Sequence, residues 1–178
     1  MIAPLQMLAV ALSALVVASD LYARRVPNAW LLTALLLGAV WMMSVCLVQG
    51  EAGPLWSALL GIFIGLVVLL PMHVFGWMGA GDVKLFATLG FLLGAKALLP
   101  IWIIGSVLAG VHGLAMLMSR YWLQHTTPGW DVAQTWMATS PWGRRVALAR
   151  QGRQGLPYAA YLAMGAMITV FTPALQRW

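Results

Sequence analysis

Apolar residues run through this chain in long unbroken blocks rather than in alternation. Six such blocks can be marked, at 2–19, 29–48, 55–75, 83–98, 101–118 and 158–175. A block of about 20 apolar residues is what a helix needs to cross a bilayer. Continuous runs of this kind predict helices, and they exclude a β-barrel, whose strands would alternate. Polar connections fall at 20–28, 49–54 and 76–82, with a tight turn expected at Leu99 and Pro100 and one long polar stretch at 119–157. The expected fold class is therefore all-α: a polytopic membrane bundle of about six transmembrane helices, read as a single membrane-embedded domain over 1–178, with 119–157 as a loop within it.

Composition sharpens this picture. Of 178 residues, 62% are hydrophobic and only 8% charged, whereas a soluble domain is about a quarter charged. The net charge of +6 would suit a nucleic-acid partner, but the basic residues stand between apolar blocks and so report topology instead; no nucleic acid is expected. With the N-terminus outside, Arg24, Arg25, Lys84, Arg120, Arg144, Arg145, Arg150 and Arg153 lie in cytoplasmic connections, and only Lys96 and Arg177, with Glu51, lie outside. The positive-inside rule selects that orientation. No Lys or Arg precedes the first block, which argues for a retained span rather than a cleaved signal. Trp30, Trp56, Trp77, Trp102, Trp122 and Trp178 sit at or near block ends, as interfacial anchors do. Trp130, Trp136 and Trp142, with the arginines of the long stretch, suit a segment lying on the anionic lipid surface. Gly61/Gly65 and Gly90/Gly94 are small-x-x-x-small pairs that predict close helix crossings.

The single cysteine, Cys46, leaves no intramolecular disulfide and no cysteine-based zinc site. No metal and no cofactor are expected, since His73, His112 and His125 lack metal-ligand spacing. Four acidic residues remain: Asp20, Glu51, Asp82 and Asp131. Charge beside a span is costly and commonly marks function. Asp20 ends the first block and Asp82 begins the fourth. Two crossings separate them, so both face the same, cytoplasmic boundary. Whether they meet is left open by spacing alone, and a lone Asp at a helix start also serves as a cap. Around Asp82 the chain reads Gly79-Ala80-Gly81-Asp82-Val83-Lys84, where glycine permits positive φ and close approach of another chain.

With Asp20, Arg25, Pro27 and Asn28 in the first connection and Gly79 to Lys84 in the third, the chain resembles the type IV prepilin peptidases, membrane aspartic proteases of the G-x-G-D type. It is most similar to the short forms of Flp or Tad pilus systems. A third family feature, Pro-Tyr-Gly at the last helix, is kept as Pro157-Tyr158 with Ala159 in place of Gly. The resemblance implies an aspartic endopeptidase of the inner membrane that removes the leader of a prepilin or pseudopilin, with Asp20 and Asp82 catalytic. It implies supporting or substrate-binding roles for Gly79, Gly81, Lys84, Arg25, Pro27, Asn28, Pro157 and Tyr158. The lipid bilayer and pilus-assembly proteins are the further partners it implies. No N-methyltransferase activity is expected, because the first connection is too short for the zinc-binding domain of the longer forms. Helix ends further suggest Asp82, at a helix N-terminus, as the ionised base and Asp20, after a helix C-terminus, as the acid. Two rival readings follow from the same residues: a small transporter or channel using the aspartates for cations or protons, and a catalytically silent pilus-assembly partner.

Overall fold

The computed structural model describes residues 4–50, 53–126, 135–136, 139–151 and 155–176. Glu51, Trp130, Asp131, Arg153, Arg177 and Trp178 lie outside them. Seven α-helices form among the described residues: α1 (Pro4–Ala23), α2 (Asn28–Gln49), α3 (Gly53–Val74), α4 (Ala80–Leu93), α5 (Ala95–Thr126), α6 (Pro141–Arg150) and α7 (Tyr158–Phe171), followed by a short 3₁₀ turn at Pro173–Gln176. The polytopic helical bundle expected from the apolar blocks is what the chain forms. Four helices, α1, α2, α3 and α5, are long and apolar enough to cross a membrane. The other two blocks give α4 and α7, each of 14 residues, shorter than the roughly 20 residues of an unaided span. Both are mostly buried within the bundle.

Two boundaries differ from those read off the pattern, and backbone chemistry explains each. The fourth block does not run to residue 98, because Gly94 takes φ 82° and caps α4, a conformation open to glycine at little cost. The turn expected at Leu99 and Pro100 does not occur: α5 starts at Ala95 and runs through Pro100. Pro100 lies in the second turn, so only one intrahelical hydrogen bond is forfeited. The 119–157 stretch is also partly helical, since α5 continues to Thr126 and α6 forms within it. Ser140 caps α6 by accepting from the Gly143 N–H at 3.0 Å.

Inside lipid, helices associate by close packing rather than by expelling water, and small residues set where they can touch. A Cβ built on Gly61 would meet the Gly90 carbonyl oxygen at 1.9 Å, and one on Gly90 would meet that of Gly61 at 2.4 Å. The two predicted glycine pairs therefore pack α3 and α4 against each other. A second crossing, of α5 with α7, uses Gly105 against Leu162 and Gly165 against the Ile101 carbonyl. Neither glycine belonged to a predicted pair. α7 also packs along α1, so this short buried helix joins the two ends of the chain. Among the tryptophans proposed as anchors, Trp56, Trp77 and Trp122 are exposed, whereas Trp30 and Trp102 pack against the core.

Candidate active site

Asp20 and Asp82 line one cavity of about 510 Å³ at the end of the bundle where α1 finishes and α2, α4 and α7 begin. They are the only two acidic residues among the described positions. Asp20 is in the last turn of α1 and only 6% exposed. Its Oδ2 accepts a hydrogen bond of 3.0 Å from the Ala160 N–H, in the first turn of α7. Asp82 is in the first turn of α4. Its Oδ2 accepts from the Gly79 N–H at 3.1 Å, and its own N–H donates to the Gly79 carbonyl. The N–H of Ala159 also bears on the Asp82 carboxylate.

One helix N-terminus, that of α7, thus serves both carboxylates with neighbouring N–H groups. This overturns the premise that separated acid from base by helix ends. Asp20 does follow the course of α1 to its C-terminal end, but the free amides of α7 reach it from 140 residues away. Backbone N–H groups at a helix N-terminus favour an anion, and here they do so for both side chains. Asp82, which lies outside the four spanning helices, has its pKa lifted from 3.8 to about 6, first by burial and then by the Asp20 charge, against the pull of the Gly79 and Ala159 amides. A carboxylate pair of this kind titrates as a unit.

The glycines before Asp82 act through space rather than through unusual dihedrals. Gly79 has φ −70°, and the positive-φ glycines among the described residues are Gly50, Gly76, Gly94 and Gly155. A Cβ on Gly79 would lie 3.2 Å from Asp82 Oδ2, and one on Gly81 would touch Val26 at 3.4 Å. The strand of chain before α4 is thereby held close to both its own carboxylate and the first connection. His73 reaches the same segment from α3, its ring Nδ1 lying 2.9 Å from the Met78 carbonyl oxygen.

The remaining sequence-selected residues gather here too. Pro27 stands at the N-cap position of α2, and Asn28, the first residue of that helix, accepts from Lys84 Nζ at 3.4 Å. Arg24, Arg25, Asn28, Gly81 and Lys84 all line the cavity with the aspartates. Arg25 donates to Gln151 Oε1 at the end of α6, while Arg150 donates to the Leu21 carbonyl at 3.0 Å, so α6 is fastened to the end of α1. Tyr158 opens α7 and lines the cavity, with Pro157 preceding it at the N-cap position. Ala159 is fully buried, so its methyl group is accommodated where the family pattern has glycine. Sequence reasoning missed the amides of Ala159 and Ala160; the Pro-Tyr helix opening was the available signal.

A bundle of long apolar helices with two carboxylates lining one cavity at its end has the architecture of a membrane protein. A family model for the type IV leader peptidase family matches residues 7–114, more than half of the chain and including both aspartates. The chain belongs to the type IV leader peptidase family. No curated protein matches it, and no solved structure does.

Proposed function

We propose that the protein is an aspartic endopeptidase of the bacterial inner membrane that removes the leader from type IV prepilins or pseudopilins of the Flp or Tad kind, at the cytoplasmic face. The observation that carries this reading is the convergence of Asp20 and Asp82 on one cavity under the amides of α7. A leader peptidase family supplies the reaction class; two carboxylates sharing a site supply the means.

In this reading the pair holds one proton. The ionised member takes a proton from water as the water oxygen bonds to the scissile carbonyl carbon. The protonated member gives its proton to the carbonyl oxygen. Collapse of the tetrahedral intermediate breaks the C–N bond, and the amine leaves with a proton. Because the α7 amides favour the anion on either side chain, the roles of acid and base belong to the pair rather than to one residue. The orientation from the positive-inside rule puts the cavity at the cytoplasmic boundary, where a precursor with a short leader ahead of an apolar helix would present its cleavage site. The connection between α1 and α2 covers only residues 24–27, and on this reading the chain trims precursors without methylating them.

The test is co-expression of the full chain with a precursor carrying such a leader, followed by mass measurement of the precursor. Removal of the leader by the native chain, and its retention with Asp20→Asn, is the expected result. A precursor left at full length beside a folded native chain would overturn the reading.

A further inference from the structure

The carboxylate pair accounts for both proton transfers, yet a second cavity opens on the far side of Asp82 that the dyad does not explain. It measures about 620 Å³ and shares Gly79, Asp82, Leu156 and Tyr158 with the first. Tyr158 therefore stands in the wall between the two spaces, beside Asp82 in both. Its hydroxyl lies 2.9 Å from Ser106 Oγ on α5, and Trp102, one turn earlier on the same helix, lines the second cavity with both.

Ser106 bears on where the phenol hydrogen goes, since either hydroxyl of the pair can donate to the other. A hydroxyl carries one hydrogen and accepts two. A serine within a helix ordinarily turns its hydroxyl to the carbonyl one turn back; Ser106 is spent on Tyr158 instead. With Ser106 as the donor of that bond, the phenol's own hydrogen is left for another group. The groups available across the shared wall are the Asp82 carboxylate in the resting site and a peptide carbonyl when substrate lies there.

We propose that Tyr158 is a third catalytic residue, whose hydroxyl donates a hydrogen bond to the scissile carbonyl oxygen, and that Ser106 is the positioning residue that aims it. The phenol keeps its proton throughout. Water still adds to the carbonyl carbon, its proton passes to the ionised aspartate, and the carbonyl oxygen takes the proton of the other. Tyr158 contributes a fixed dipole where negative charge gathers on that oxygen before the proton arrives. Removing one such donor from an oxyanion site lowers turnover by about a hundredfold or more.

The inference rests on the leader peptidase reading, and the two fail differently. The experiment uses the purified full chain in detergent micelles with a purified prepilin-type precursor, measuring kcat and KM separately. Absence of cleavage by the native chain would sink the functional reading itself. Given native cleavage, Tyr158→Phe is expected to lower kcat about a hundredfold with KM within about twofold of native. Ser106→Ala is expected to lower kcat by a smaller factor, Ser106→Thr to restore it, and Ser106→Ala to add nothing in the Tyr158→Phe background. A native kcat in Tyr158→Phe, or a change confined to KM, would overturn the role of Tyr158. If Tyr158→Phe fails to fold, the serine pair decides: equal kcat in Ser106→Ala and the native chain would overturn the proposal.

Discussion

The two aspartates are held in opposite ways. Asp82 is supported first from three residues upstream, by the Gly79 N–H within its own helix cap, and only second by Ala159. Asp20 is supported from the far end of the chain, by Ala160. A local support leaves a local motif, and the G-x-G-D string is visible in the sequence for that reason. A remote one leaves none, because it needs only a helix N-terminus delivered to the right place. The difference shows what α7 is for: a short helix, packed against α1 and α5, whose first turn completes the site.

That comparison predicts a ranking of effects. Despite unequal local support, Asp20→Asn and Asp82→Asn should each lower leader cleavage by about a thousandfold or more, since each removes half of one proton-transfer device; initial rates on a purified precursor would show it. Unequal losses would mean that one residue is only structural. The next largest effect falls on folding and not on chemistry. Gly61→Leu places a side chain where even a Cβ would sit 1.9 Å from the Gly90 carbonyl, and should cost about 3 kcal/mol or more of stability, read as a lowered melting temperature in micelles. Gly79→Ala sharpens the contrast. Its methyl group would press on Asp82 Oδ2 from 3.2 Å, so turnover should drop about tenfold through misplacement, with melting temperature unchanged.

The smallest predicted effect is a pH dependence of stability. Folding raises the Asp82 pKa from 3.8 to about 6, so the folded state holds that proton more tightly. The resulting stabilisation is complete below pH 3.8 and is lost as pH rises through 6. Asp82→Asn is uncharged at every pH. Its melting temperature should therefore match the native protein near pH 4 and exceed it increasingly up to pH 7, by on the order of 2 kcal/mol in stability. A gap that stays constant with pH would contradict the burial of Asp82 as the cause.

Much of the fold was legible because lipid imposes a simple rule on sequence. Long apolar blocks became α1, α2, α3 and α5, and the glycine pairs at Gly61 and Gly90 became the α3–α4 crossing. What the pattern hid were decisions made by single backbone positions. Gly94 ended α4 early, Pro100 stayed inside α5, and Gly105 and Gly165 made a second crossing without a second glycine four residues away. In the site, Asp20, Asp82, Gly79, Asn28 and Lys84 could be selected because they flank spans in short motifs. The α7 amides were marked only indirectly, by the Pro157-Tyr158 helix opening, since a backbone N–H carries no residue signature. Ser106 was hidden for another reason: a serine in an apolar helix looks the same whether it bonds its own turn or reaches across to Tyr158.

The most direct test of the account is a cycle of Asp20→Asn, Asp82→Asn and the double variant, comparing leader cleavage by equal amounts of folded protein. If the two carboxylates act as one proton-sharing unit, the double variant loses no more activity than either single one. Losses that multiply, or a single variant that cleaves at the native rate, would show that Asp20 and Asp82 do not work together.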